Sequence, residues 1–596
     1  MRIINLILQE RAALFLFSFC AIFYLSAPVI QVSDSNYSMM VSQSLIDYGT
    51  VRLDGYNIER SEPFSKPGIV KSGYPYQVEV SGEKLFYYFP HGSSILSVPF
   101  VAVLNEFGLS AVNENGTYNL KGEAKIERIL AAFLISITVT ILYFTSRVSL
   151  NRPFSFAVAL TAALATPLLS TASRAMWAHT WLLLLLSSVI FLVWRGVQEK
   201  KSPNPMLLAT LVAWMYFVRP TSSISTIAVS VLVLVYFRPV FITYCLIGLA
   251  WLAGFLLYSQ YNFGTFLPSY YAAGRIGSDT FFVALAGNMI SPARGLLIYS
   301  PFIFSIVIAL LVFRQYVQER SLVFVSVATI ILHWVVVSGF PHWWGGHSYG
   351  PRFMTDVVPW VMLVAIISLQ AASTGGEVND KWSIVGSKNT LPHAVGVVIL
   401  IAISVFMHVR GAYSHDASIW NVRPNNVDEH SERLWDWSHP QFLAGFITPE
   451  ISRDFPVFKS GESIFLNDSA AEPYLISGWS GPEPNFRWTE SNAARFGFKS
   501  SVGRAIAISL NMAPFVTASH DKQRLRIEAN NKFVAEFVFG EQPMSEIRFV
   551  IPRSFVKEAN LITLQIPDAT SPKTLKISED ARNLGIAVES FTITGL

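Results

Sequence analysis

The side chains of this chain best suited to chemistry sit in five short stretches between apolar runs. In VSDSNYSMM a lone carboxylate, Asp34, follows the first apolar run. It reads either as a general base that takes a proton from a hydroxyl or as the cap of a short helix carrying Met39 and Met40. KLFYYFPHGSS sets Tyr87 and Tyr88 beside His91, a group that titrates near neutral pH, although an ordinary loop histidine fits equally well. TASRAMWAHTW places Arg174, Trp177 and His179 within two helical turns, where they would share a face and bind a phosphate, or else bracket a membrane interface. YNFGTFLPSYYAAGRIGSDTFF, with NMISPARGLL after it, offers Asn262, Tyr270, Tyr271, Arg275 and Arg294. The richest stretch is HWWGGHSYGPRFMTD, with Trp343, Trp344, His347 and Arg352 around the Gly345–Gly346 pair. Two glycines let the backbone approach a ligand closely. His342 and Asp356 of the same stretch carry no assignment.

Several chemistries are unsupported. There is no Walker A loop, HExxH pair or GxSxG elbow. Both cysteines, Cys20 and Cys245, lie within apolar runs, which argues against a disulfide framework or a zinc cluster. The net charge of +4 is too small to argue for nucleic acid. No metal site is assigned and no cofactor is certain; a divalent cation stays open but unsupported.

The elements that must hold these stretches are membrane spans. The chain has 596 residues, 52% hydrophobic and 14% charged, with a mean hydropathy of +0.41. A soluble domain carries roughly 25% charged residues. Apolar runs near 12–32, 127–147, 153–172, 176–195, 204–218, 221–237, 240–260, 295–313, 321–338, 353–371 and 392–409 give about eleven spans at ~20 residues per crossing. The first is expected to be an uncleaved span and not a signal peptide. With the N-terminus cytoplasmic, Arg11, Arg147, Arg152, Arg195, Lys200, Lys201, Arg238, Arg314 and Arg320 fall inside, as the positive-inside rule requires. The segment 92–107 would break that parity as a span, so it is expected to be an interfacial helix in an outer loop over 33–126. The short outer loops then carry Arg174, Arg219, Arg275, Arg294 and Arg352 and no lysine. Arginine's planar fork suits bidentate phosphate binding, while snorkelling to lipid headgroups is the plainer explanation for any one of them.

From about residue 411 the texture changes to short β-rich segments such as AIAISLNM, RLRIEAN and FVAEFVFG, punctuated by Pro, Gly and Asn. The expected organisation is a helical membrane domain over 1–410, a linker over 411–470, and an extracytoplasmic β-sandwich or jelly roll over 471–596.

Taken together, VSDSNY, YFPHGSSILSVPF, SRAMWAH, SPARGLLIYSP and WWGGHSYGPRFMTD resemble patterns of the GT-C superfamily of integral-membrane glycosyltransferases. That superfamily includes protein mannosyltransferases, aminoarabinose transferases and arabinofuranosyltransferases. The resemblance covers roughly 1–410. The tail, through GWSGPEPNFRW, resembles β-sandwiches of bacterial envelope-polysaccharide proteins, which implies contact with carbohydrate. One departure stands out: many relatives carry a second acidic residue beside the first, whereas Asp34 is followed by Ser35 and Asn36.

The resemblance implies a bacterial inner-membrane enzyme with a polyprenyl-phosphate sugar as donor and a glycan, lipid or protein hydroxyl as acceptor. Asp34 would be the base of an inverting transfer. Arg352, Arg294, Arg174 and His179 would bind the donor phosphate. His91, Tyr271, Arg275, Trp343, Trp344 and His347 would line the substrate site. A lipid-linked saccharide flippase is the main rival. It calls for ionisable groups at mid-span, while the charges here cluster at span ends. A polysaccharide polymerase or ligase would share the outer arginines, and a non-catalytic anchor would need none of these motifs.

Overall fold

The computed structural model describes residues 10–31, 33–60, 65–66, 69–70, 73–271, 277, 279–378, 391–422, 425–447, 455–500, 503–578, 580 and 582–596. The chain divides into two compact units, one of Met1–Asn421 with Val427–Phe446 and one of Val422–Asn426 with Ile447–Leu596. The segment expected as a linker is therefore shared out: most of 411–446 packs with the helices.

Among the described residues six helices are long and apolar enough to cross a membrane. They are Leu120–Arg147, Ala178–Glu199, Arg238–Phe263, Arg320–Ser338, Arg352–Gly375 and His393–Tyr413. Six shorter apolar helices join them, including Arg11–Ser26, Arg152–Leu164 and Pro205–Val218. All eleven segments expected to span contain helix, although not all as single rods. The stretch 153–172 breaks after Leu164, and past Pro167 one π-helical turn, Leu168–Ala172, leads into the loop that carries Arg174. Helix starts follow local chemistry. The side chains of Asn119, Asn151 and Asn204 each accept a backbone N–H of the first turn, and Pro205 fits the first helical position.

The helices differ in how they are buried. About 72% of the apolar window is covered in both Leu120–Arg147 and Ala178–Glu199, against 11% in Arg238–Phe263. The first two form the centre of the unit, and the third presents its sides outward. The segment between the first two apolar helices, the expected outer loop, folds into the helix Ser38–Tyr48, a hairpin of Val78–Ser81 with Lys84–Tyr87, and the helix Gly92–Glu106. Gly92 starts that helix directly against the backbone of Phe217, where an added Cβ would lie 2.5 Å from the carbonyl. This close approach fixes His91 beside Pro205–Val218.

The second unit is a sandwich of two antiparallel sheets. One runs Ser545–Ile551, Ile506–Pro514, Ile586–Gly595, Arg487–Thr489, Trp479–Pro482. The other runs Lys532–Phe539, Gln523–Ala529, Ala559–Gln565, Ala493–Lys499, Leu475–Ser477. In Gln523–Ala529 buried and more exposed residues alternate, as the two-residue period of a half-buried strand demands. Phe496, Ile508, Leu525, Ile562 and Phe591 meet in the core. The strand Ser463–Phe465 pairs with Ile586–Gly595, so the β region begins before residue 471.

Candidate active site

Asp34 lies on the turn between Arg11–Ser26 and Ser38–Tyr48. It does not cap the following helix, whose N-cap position is Tyr37 with a left-handed φ of 73°. A different carboxylate meets that helix end. Glu123 accepts the N–H groups of Tyr37 at 2.8 Å, Met39 at 2.6 Å and Met40 at 3.3 Å. An anion at a helix N-terminus compensates the unpaired N–H groups there. Asp34 is thereby left available for other partners.

One of those partners is Arg352, 318 residues away, whose Nη2 donates to Asp34 Oδ2. Tyr76 donates its hydroxyl to Oδ1 at 3.0 Å, and Tyr87 donates to the Asp34 carbonyl at 2.6 Å. The Asp34 side chain stays 29% exposed while that of Arg352 is only 9% exposed. Burial raises the Asp34 pKa, but the Arg352 charge and the hydrogen bonds from Arg352 and Tyr76 outweigh it and hold the carboxyl below its ordinary value. Burial, with Asp34 adding to it, drives both tyrosine hydroxyls upward, so they remain protonated donors.

Arg352 opens the 3-10 turn Arg352–Val357. Its guanidinium lies over the Trp177 ring at 3.7 Å, and Nη1 donates to the Gly345 carbonyl at 2.9 Å. Gly345 has φ 71°, and an added Cβ would stand 3.1 Å from Arg352 Cδ. Both the conformation and the space favour glycine there. The glycine pair thus aims its carbonyls at arginines, for Gly346 accepts from Arg294 Nη2 at 3.1 Å.

Asp356, one turn beyond Arg352, gathers a second buried group. Its oxygens meet His179 Nδ1 at 2.6 Å, Arg219 Nε at 2.6 Å and the Thr221 hydroxyl at 3.4 Å. Three buried nitrogens of this neighbourhood, Arg352 Nε, Trp177 Nε1 and His179 Nε2, have no hydrogen-bond partner. Buried polar groups are nearly always paired, and these three gather around the Trp177 ring, which carries one of them and stacks on Arg352. The Trp177 and His179 rings are 6.3 Å apart.

The other expected phosphate ligands are placed differently. Arg294 is 1% exposed. Its five N–H donors go to the carbonyls of Trp344 (2.7 Å), Ala293 (2.9 Å) and Gly346 (3.1 Å), to Gln441 Oε1 (2.6 Å) and to Asn421 Oδ1 (2.8 Å). Arg174, equally buried, donates to the carbonyls of Tyr24 (2.6 Å) and Ala27 (3.4 Å) and to the Ser173 hydroxyl (3.1 Å). Burial lowers both to about 10, so they remain charged at neutral pH.

Trp343 and Trp344 are buried in a cluster with Trp420, Val427 and Leu434. Trp344 Nε1 donates to Asp428 at 2.8 Å, and His347, 39% exposed, faces the same carboxylate at 3.8 Å. His91 donates from Nε2 to the Tyr87 carbonyl (2.8 Å), so its Nδ1 accepts from the Tyr258 hydroxyl (2.6 Å). Burial lowers its pKa to about 4, which leaves it neutral. It lines an aromatic cavity of about 220 Å³ with Tyr88, Trp214, Trp251, Phe255 and Tyr271. Tyr271 anchors that wall through its hydroxyl on the Phe217 carbonyl at 3.0 Å. Arg275 lies outside the described residues. Among the described residues no group of three His, Cys, Asp or Glu side chains is placed to hold a metal ion.

Sequence reasoning missed Tyr76, Trp177 as the Arg352 platform, and the pair Glu123 and Glu127. The last had a readable signal: two carboxylates at i and i+4 where an apolar helix begins.

No family model matches the chain, and no curated protein sequence does. Among solved structures it is similar to an Archaeoglobus fulgidus oligosaccharyltransferase tethered with an acceptor peptide. Identity there is 10% over 76% of this chain and 62% of that one, with a TM-score of 0.40. It is also similar to an arabinosyltransferase of Mycobacterium smegmatis, at 12% identity over 98% of this chain and 65% of that one, TM-score 0.36. A Podospora anserina β-(1,4)-mannanase matches 23% of this chain and 28% of its own at 12% identity, TM-score 0.16. The chain spans less than two thirds of the length of each of these proteins. Scores of this size decide neither fold nor activity, so function is read from the site itself.

Proposed function

We propose that the protein is a multi-pass membrane glycosyltransferase that moves a sugar from a polyprenyl-phosphate donor to a hydroxyl acceptor on the extracytoplasmic face, with inversion. The observation that carries this reading is a partly exposed carboxylate, Asp34, held by Arg352 and Tyr76 near three buried nitrogens without partners. With its pKa held low, Asp34 is ionised at neutral pH and able to accept a proton. It is a weak base, so the proton moves as the bond forms and not before it. The acceptor oxygen bonds to the anomeric carbon and its proton passes to Asp34. The bond from that carbon to the phosphate oxygen breaks, leaving the electron pair on the phosphate. Charge therefore grows on the phosphate in an oxocarbenium-like transition state.

Arg352 Nε and Trp177 Nε1 are the N–H donors we assign to that phosphate; His179, whose Nδ1 donates to Asp356, presents Nε2 as an acceptor and is read as lining the site. Preorganised donors where charge develops are worth about 10²–10³ in rate each. Arg294 has all five donors on protein acceptors, and Arg174 donates from each of its three nitrogens to protein acceptors; both are read as scaffold. The aromatic cavity with His91 and Tyr271 suits an apolar chain, such as the lipid next to the phosphate. In the β unit the half-buried Trp488 ring lies 5.6 Å from that of Phe486 and 5.7 Å from that of Phe515, and the three are read as contacts for a glycan acceptor.

Labelled polyprenyl-phosphate sugar supplied to proteoliposomes tests the reading. Transfer to an acceptor is expected from the wild type and from Asp34→Glu at a reduced rate. A wild type that binds the donor and moves the intact lipid-linked sugar across the bilayer without transfer would replace the enzyme with a flippase.

A further inference from the structure

Glu127 is a fully buried carboxylate near the start of Leu120–Arg147, and neither the base nor the phosphate groups assigned above include it. One of its oxygens, Oε2, accepts two hydrogen bonds, from the Ser35 hydroxyl at 2.7 Å and from the Met176 backbone N–H at 2.9 Å. The other, Oε1, has no partner. Ser35 directly follows Asp34, and Met176 directly precedes Trp177. Trp177 supports the Arg352 guanidinium at 3.7 Å, and Arg352 pairs with Asp34. The contacts close a ring: Asp34, Ser35, Glu127, Met176, Trp177, Arg352 and back to Asp34.

A single oxygen atom thus ties together the two loops that carry the halves of the site. One turn earlier on the same helix, Glu123 fixes the far side of the Asp34 turn through Tyr37 and Met39. A buried carboxylate without a cation is expensive to keep, and core packing alone does not call for one. Bridging two catalytic loops does.

We propose that Glu127 is a positioning residue that sets the separation of Asp34 from the Arg352–Trp177 stack by holding Ser35 and Met176 on one oxygen. The inference rests on the reading of Asp34 as the base. The demand is on an acceptor oxygen of the right reach, not on charge. In Glu127→Gln the amide oxygen can keep both hydrogen bonds, whereas Glu127→Ala removes both.

The test is steady-state transfer from labelled polyprenyl-phosphate sugar by the full chain in proteoliposomes, with Asp34→Asn measured alongside. Glu127→Ala is expected to lower kcat by about 100-fold, the scale of a misplacement near 1 Å, with donor KM within about threefold. Glu127→Gln should restore kcat to within about fivefold of wild type. Ser35→Ala, a small change that keeps the fold, should give an intermediate loss of roughly tenfold with an unchanged melting temperature. Normal kcat in both Glu127→Ala and Ser35→Ala overturns the inference. So does a folded Glu127→Gln as inactive as Glu127→Ala, which would make the ionisable group itself the requirement. If Asp34→Asn retains activity, the base assignment fails, and that result is distinct from either of the others.

Discussion

Arg352 and Arg294 come from motifs that look alike in the sequence, both are buried, and both take a carbonyl from the Gly345–Gly346 pair. Their surroundings differ. Arg294 has all five donors placed on protein acceptors, two of them side chains of Asn421 and Gln441. Arg352 has an aromatic ring on one face, a partly exposed aspartate on one nitrogen, and a buried Nε with nothing to donate to. A saturated arginine holds a fold together. On the proposed reading, the unsaturated one beside an ionised carboxylate takes the ligand. Donor saturation separates scaffold from site where motif and burial do not.

Lysine substitutions should break the pair apart. Arg352→Lys keeps a charge but loses the fork and the flat face on Trp177, so kcat should fall about 100-fold with little change in melting temperature. Arg294→Lys should do the reverse. Leaving several buried acceptors unpaired costs roughly 1–3 kcal/mol each, and the loss should appear as a lower melting temperature while folded protein keeps its kcat. Equal behaviour of the two variants would erase the distinction.

The next effect is on pH dependence. The Asp34 pKa is depressed in the folded protein, so the stability it contributes is present above the ordinary aspartate value of 3.8 and is lost as pH falls through the lower, folded value. The acid limb of activity should therefore lie below pH 3.8 in the wild type. In Arg352→Met, burial acts without the opposing charge and should carry the limb above that value. A limb that stays put would show that Arg352 does not set the Asp34 charge. His91, held to about 4, should add no inflection near neutrality.

A smaller change, about tenfold in donor KM, is expected when Phe255→Trp fills the aromatic cavity. It should be felt for long-chain donors and fade for short ones. The smallest is in the β unit. Trp488→Ala should weaken a glycan acceptor by a few-fold, the ~0.5–1.5 kcal/mol of a ring contact, without touching donor KM.

Much of the frame was legible. Apolar runs of span length predict the helices, and short β-rich segments punctuated by Pro, Gly and Asn predict the sandwich. Asp34 and Arg352 stood out because a carboxylate and an arginine between apolar runs are costly to keep. What stayed hidden depends on contacts between distant segments. Tyr76 sits in an unremarkable loop and becomes a partner of Asp34 only when the turn folds back. Arg294 looked free because Gln441, which saturates it, lies in a segment that reads as linker. Glu127 was absorbed into the start of an apolar span. Ser35, which seemed only to mark a missing second acid, brings that carboxylate to the base from 92 residues away.

The central claim is that Asp34 takes the acceptor proton while the arginine side holds the donor. Single-turnover transfer by Asp34→Asn, measured beside donor binding in the same proteoliposomes, tests it most directly. The expected result is donor binding within a few-fold of wild type and a transfer rate lower by about 10²–10⁴. Near-normal transfer, or a loss of rate explained wholly by lost donor binding, would contradict it.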